Sequence, residues 1–226
     1  MLQSPKCQPL TEVSIIMAKK SASSARPDYR RKIIKSAIQE FALHGLAGTT
    51  TQAIADRSKI SKAKLHYYID TKDELYRKIL EDIYDEWVEM ELFHSAGNDL
   101  GAKAAISRYI SEKLDFSFEQ PEKSKIVAIE ILSGAPILKE QFSEQKQHTQ
   151  RAVRVVRRWI KRGEMLDIDP TLLFFMIWGI TQHFADAEVE VQSMLGTTSY
   201  SAKDRERIKS EVTRFILRGC GISDSE

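Results

Sequence analysis

Thr49-Thr50-Thr51-Gln52-Ala53-Ile54-Ala55-Asp56-Arg57-Ser58-Lys59-Ile60-Ser61-Lys62-Ala63-Lys64-Leu65-His66-Tyr67-Tyr68-Ile69-Asp70-Thr71-Lys72-Asp73-Glu74-Leu75 is the stretch that decides how this chain is read. Thr49 or Thr50 can cap a short helix carrying Ala53, Ile54 and Arg57, because a hydroxyl oxygen satisfies backbone N–H groups that a helix start leaves open. Lys59-Ile60 makes the turn, and Ser61 caps a second short helix over Lys62 to Ile69. Thr71, with Glu74 three residues later, has the spacing of a capping box and opens a third helix. Two short helices joined by a turn of three or four residues form the unit that lays a recognition helix in the DNA major groove.

Working outward, the pattern stays helical. Ile33, Ile34, Ala37, Ile38, Phe41 and Ala42 recur at helical spacing after Pro27-Asp28 and stop at Gly45, which predicts a first helix bracing the next two. The helix opened by Thr71 continues through Leu75, Ile79, Ile83, Trp87 and Met90, and links head to body. Gly97, Asn98 and Gly101 mark a loop. Further helices are predicted over Ala104–Phe118, Lys123–Leu132, Leu138–Arg162 (ended by Gly163), Pro170–Ala187 (opened by Asp169-Pro170) and Ala202–Arg218 (ended by Gly219). No strand alternation or Gly-rich phosphate loop appears. The expected fold is all-α, with a basic disordered tail over 1–26, a helix-turn-helix head over 27–73 and a helical body over 74–226.

Charge divides along the same line. The 226 residues hold 34 Lys+Arg against 32 Asp+Glu, yet residues 1–75 carry 13 basic and 7 acidic side chains and residues 76–226 carry 21 and 25. Positive charge is concentrated where phosphates would be met. Lys19, Lys20 and Arg26 in the tail either touch DNA or are simply disordered. Cys7 and Cys220 suggest neither a disulfide framework nor a metal site, which fits a reducing cytosol. The longest apolar run, Leu172 to Ile180, is far short of a membrane span. Met1 to Ala18 is too broken by polar residues for a signal peptide. No cofactor is expected, and no Ser-His-Asp set, metal-spaced cluster or paired carboxylates suggest an enzyme.

Gly45, Thr50-Thr51, Ile54-Ala55, Ile60-Ser61-Lys62, Leu65, Tyr68, Lys72 and Leu75 together resemble the DNA-binding domain of the TetR family of bacterial repressors. The resemblance implies a three-helix head on a helical body that binds a ligand and dimerises, acting in the bacterial cytoplasm. It places Thr51, Gln52, Lys62, Lys64, His66 and Tyr67 at base edges, and Thr50, Tyr68 and Lys72 on phosphates. Lys59 stands where the family usually has Gly, His66 where Tyr is usual and Ile69 where Phe is usual; Lys at a left-handed turn costs only about 1 kcal/mol. In the body, Ile129 to Pro136 and Phe175 to Asp186 are similar to a narrower branch, the repressors of pyrimidine utilisation. That similarity implies a small planar, pyrimidine-like effector.

Trp178, Gln182 and Asp186 fall on one helix face at i, i+4 and i+8. A ring that stacks beside an amide that donates and accepts suits a planar heterocycle with an amide-like edge. Trp87 could complete such a pocket. Equally, both tryptophans could be core and Gln182 could bond across a dimer interface. His183 lies off that face and reads as a satisfied buried histidine. Leu172 to Ile180 is apolar all round, as suits a helix covered by its own core and by a partner subunit. Arg151, Arg154, Arg157, Arg158, Lys161 and Arg162 read as a solvated face paired with acidic neighbours, with a second nucleic-acid contact as the alternative. The function expected is a ligand-released homodimeric repressor of a palindromic operator; an enzyme and a ligand-independent DNA binder are the competing readings.

Overall fold

The computed structural model describes residues 26–90 and 101–222, so residues 1–25 of the expected tail and the Gly97-Asn98 loop lie outside the described residues, while Arg26, expected in the tail, is the first residue of a helix. The chain is all-helical: α1 (Arg26–Gly48), α2 (Thr51–Arg57), α3 (Lys62–Tyr68), α4 (Lys72–Glu89), α5 (Ala102–Glu119), α6 (Pro121–Leu132), a single 3-10 turn (Leu138–Gln141), α7 (Phe142–Lys161), α8 (Pro170–Asp186), α9 (Glu188–Leu195) and α10 (Ala202–Gly219).

The starts of the short helices follow from their caps. The Thr50 hydroxyl accepts from Ala53 N–H, Ser61 from Lys64 N–H, and Thr71 from Glu74 N–H. Lys59 makes the α2–α3 turn at φ 56, the left-handed conformation its position demands. The reciprocal capping box forms at α10 instead, where Ser201 and Asp204 cap each other's backbone. Asp169 caps α8 through Thr171 and Leu172 N–H, with Pro170 at the first helical position.

The structure departs from the expected helices at three places. α6 begins at Pro121 rather than Lys123, because a proline in the first turn loses no hydrogen bond. The expected helix 138–162 is a 3-10 turn followed by α7: the Glu130 carboxylate accepts from the N–H groups of Ile137 and Leu138, which fixes the chain's entry. α9 adds a helix to those expected. Its Glu188-Val189-Glu190-Val191 run offers no apolar stripe, and none of its residues is fully buried.

Two clusters of buried side chains form the core. The first joins the head to the body: Ile33, Phe41, Ile54 and Leu65 pack with Tyr76, Leu80 and Ile83 of α4, and with Phe116, Ile126 and Leu138. The expected division at residue 73/74 falls inside α4, and apolar packing runs straight across it. The second cluster holds Ile106, Ile110 and Leu114 of α5 with Trp159 of α7, Ile177 of α8 and Ile216 of α10.

Gly45 is the pivot between head and body. It sits at φ 63, ψ −177 inside the last turns of α1, a region essentially restricted to glycine, and a Cβ there would lie 3.3 Å from Ile129 Cγ2 on α6. Gly45→Ala is expected to lower stability by about 1–3 kcal/mol from backbone strain. Urea unfolding of the two proteins checks it; an unchanged midpoint would mean that α1 ends otherwise.

Candidate nucleic-acid interface and effector site

α3 presents two faces because Leu65 and Tyr68 are buried while Lys62, His66 and Tyr67 are exposed. Tyr67 is 61% exposed, a large aromatic held in water on a seven-residue helix. The frame beneath it is polar and tightly paired. Arg57 of α2 pairs with the Glu40 carboxylate, which is buried in α1, and the Thr49 hydroxyl donates to Glu40 O at 3.1 Å. Thr51 is half-buried at the start of α2, and exposed Gln52 donates to Asp56 at 2.7 Å.

Several expected DNA contacts also have work inside the protein. The Lys72 ammonium donates to the carbonyls of Leu46 (2.6 Å) and Thr49 (2.8 Å), strapping the start of α4 to the end of α1. Tyr68 is only 9% exposed, with its ring beside Tyr29 and Tyr67. The Lys64 ammonium rests over the Tyr29 ring, 3.4 Å from its centroid, a cation–π contact that a base edge would have to outbid. The Thr50 hydroxyl oxygen is taken up by its cap.

In the body the three-residue face of α8 is pinned at both ends. Trp178 Nε1 donates to Tyr109 Oη of α5 at 2.7 Å, and Asp186 accepts from the Ser124 hydroxyl of α6 at 2.6 Å. Desolvation holds the Asp186 carboxyl above the usual range, against the lowering effects of Ser124, Lys125 and Lys113. Gln182 lies half-buried between them and makes no hydrogen bond among the described residues. Trp87 packs edge-on to Phe116 in the head-side cluster, whereas Trp178 packs against the other one. α5 runs between the two tryptophans: Tyr109 meets Trp178, and Lys113, one turn on, lies under Trp87.

Lys113 was not singled out in the sequence. It is 4% exposed, its ammonium sits 4.3 Å from the centroid of the Trp87 ring, and burial pushes its pKa down to about 8 against the pull of Asp186. A signal was present: Ile106, Tyr109, Ile110, Lys113 and Leu114 share one helical stripe, so this lysine stands where an apolar residue belongs.

The model of the bacterial regulatory proteins of the tetR family matches residues 33–79, and that of the YcdC-like protein C-terminal region matches residues 80–223. This chain belongs to the TetR family. The HTH-type transcriptional regulator RutR of Escherichia coli K12 is 32% identical over 192 residues, spanning 84% of this chain and 89% of that protein. The transcriptional repressor SCO4008 of Streptomyces coelicolor is 26% identical over 66% of this chain and 74% of its own length. Among solved structures, the ketosteroid regulator KstR2 of Mycobacterium tuberculosis superposes with a TM-score of 0.65 at 16% identity, covering 88% of this chain and 96% of that one.

Two features of this TetR-family chain correct the sequence-based expectations. His183 is exposed rather than buried, beside a groove between α8, α9 and α10. On α7, Arg151, Arg154, Arg157, Arg158 and Lys161 are exposed and have no ion pair among the described residues; only Arg162 is paired, with Glu164. Among the described residues, no group of three or more His, Cys, Asp or Glu could hold a metal ion, and no helix is long and apolar enough to cross a membrane.

Lys72→Met keeps the stem and removes both carbonyl bonds. Stability should fall by about 1–3 kcal/mol, the usual effect of losing charge-assisted hydrogen bonds. In the folded variant the salt dependence of DNA binding should be unchanged; a slope reduced by about 0.9 would assign the ammonium to a phosphate.

Proposed function

We propose that the chain is a homodimeric repressor that holds a near-palindromic operator through two α3 helices and is released from it by a small planar effector, a pyrimidine base. The observation that carries this reading is α3 itself: a capped helix with an apolar back and an exposed Lys62, His66, Tyr67 front, braced on a body that the same core runs into. In this reading Thr51, Gln52, Lys62, Lys64, His66 and Tyr67 meet base edges and Thr50 meets a phosphate. Tyr68 and Lys72 serve by keeping that surface in shape.

A single recognition helix covers too little DNA for specific binding, so two copies are required. The pairing surface is supplied by α8 and α10. Leu172 (54%), Phe175 (55%) and Met176 (51%) on α8 and Phe215 (71%) on α10 are exposed to an extent that a monomer in water would not favour. A self-complementary four-helix contact would cover them. Phe175→Arg is expected to give a monomer by sedimentation at micromolar concentration and to weaken operator binding by about 100-fold or more, since the second head then gains nothing from the first. A dimer that survives this substitution would place the interface elsewhere.

The effector is assigned to Trp87, Trp178 and Gln182. The resemblance of the body to the pyrimidine-utilisation repressors supports a pyrimidine, and the unspent amide of Gln182 supports a ligand with a donor–acceptor edge. Such a ligand acts only by binding the released state better than the DNA-bound one. Fluorescence anisotropy of labelled operator should rise with protein and fall on adding uracil. Gln182→Leu should weaken uracil roughly 5- to 150-fold, the equivalent of about 1–3 kcal/mol, and leave operator binding without ligand intact. No response to any pyrimidine would remove the effector assignment and keep the DNA-binding one.

A further inference from the structure

Arg151, Arg154, Arg157, Arg158, Lys161 and Arg162 follow one another along α7 and its end with no acidic residue between Glu144 and Glu164. Glu164 pairs with Arg162 and accepts from Ala102 N–H. The other five cations are exposed and make no ion pair or hydrogen bond among the described residues. At 3.6 residues per turn they fall within about 120° of the helix circumference. The buried Ala152, Val155, Val156 and Trp159 lie on the opposite side. Residues three and four apart on a helix meet, so Arg154 repels Arg158 and Arg157 repels Lys161. Elsewhere the chain answers such cations within the helix: Lys32 with Asp28, Lys78 with Asp82, Arg108 with Glu112, Arg207 with Asp204 and Arg214 with Glu211. The row is not a by-product of composition either, since residues 76–226 carry 21 basic against 25 acidic side chains.

A row of cations suits a partner that brings a matching row of anions. The apolar side of α7 is packed into the body's core, so the helix has none to sink into a lipid surface. Four of the five cations are arginines, whose planar fork takes two oxygens of one phosphate. From Arg151 to Lys161 the row is about 15 Å long, at 1.5 Å per residue. One strand of duplex DNA carries a phosphate about every 3.4 Å of its axis, so the row faces about four of them. The row also stands on the body's core cluster, apart from the head-side cluster that carries α3. We propose that the outward face of α7 binds the phosphate backbone of duplex DNA independently of sequence, as a second DNA contact beside the head. This goes beyond the operator reading: there α3 chooses the sequence, whereas α7 holds duplex of any sequence.

The test is fluorescence anisotropy of the full chain on a labelled duplex of scrambled sequence, about 30 base pairs long, between about 50 and 200 mM salt. Two neutralised pairs are compared with wild type: Arg154→Gln with Arg158→Gln, and Arg151→Gln with Lys161→Gln. Each pair should lower the slope of log affinity against log salt by between about 1 and 2, at about 0.9 per phosphate lost. Arg154→Lys with Arg158→Lys keeps both charges and should restore the wild-type slope. Melting temperature and sedimentation should match wild type throughout; the two pairs are independent, so a fall in melting temperature in one leaves the other to decide. Benzoylphenylalanine in place of Gln150, exposed on the same face, should cross-link the duplex under light. A wild-type slope in both Gln pairs overturns the inference and leaves the head's contact standing. A lowered slope with no cross-link reduces the row to a long-range field and overturns it too. A changed oligomeric state gives the face to a second copy, and lost binding to phosphatidylglycerol vesicles with the DNA slope unchanged gives it to a membrane; either overturns it. Failure of wild type to bind any duplex overturns the inference and the operator reading together.

Discussion

The end of α1 is the constraint on which the rest of the molecule depends. At Gly45 the backbone leaves helical geometry in a conformation that only glycine takes easily, and the missing side chain lets Ile129 of α6 approach. The carbonyls freed by that turn do not go to water. Leu46 and Thr49 give theirs to the Lys72 ammonium at the start of α4, and the Thr49 hydroxyl reaches back to Glu40. Glu40 in turn holds Arg57 of α2. One short segment thus meets the recognition unit, the linking helix and the body at once. Charged bonds to fixed carbonyls and a close glycine contact leave this segment few neighbouring arrangements.

Inside the body, polar groups define direction where apolar packing would not. Glu130 is 2% exposed and answers three donors: Tyr76 Oη of α4 and the N–H groups of Ile137 and Leu138. Burial and the nearby Glu130 charge both raise the Tyr76 phenol well above its ordinary pKa, so it stays a donor. This set is satisfied, and it fixes α4 against the entry to α7. Lys113 is the contrasting case: among the described residues its buried ammonium meets an aromatic ring and no hydrogen-bond acceptor. Within one helical body, a closed polar set marks where the fold is held.

The outer surface is equally uneven. α8 carries bulky apolar side chains outward over its first two turns, while α7 carries a row of exposed cations with no ion pair among the described residues. Such faces cost little when left in water as single residues, but a contiguous apolar face favours a second copy. The cations of α7 keep their charge solvated and add to the positive field that the head already has.

The sequence by itself determined whatever depends on neighbours in the chain. Thr50, Ser61 and Thr71 start their helices because a hydroxyl caps the nearest N–H groups wherever the rest of the protein goes. Lys59 turns between α2 and α3, and Asp169-Pro170 opens α8, for equally local reasons. The apolar spacing of α1, α4, α5 and α10 was legible for the same cause, and so was the two-part division of charge. What only the tertiary structure decided is where long polar side chains end. Lys72 could as well have faced DNA as two carbonyls, and nothing in its neighbours distinguishes them. Trp178 could have offered its N–H to a ligand until Tyr109, 69 residues away in the chain, took it. Lys113 lay on an apolar stripe in plain view, yet its lack of an ion pair among the described residues is a property of the helices packed around it. The split at Leu138–Gln141 came from a carboxylate on another helix. Side chains with several rotatable bonds take their partners from the packed structure, and the packed structure is set by contacts distant in sequence.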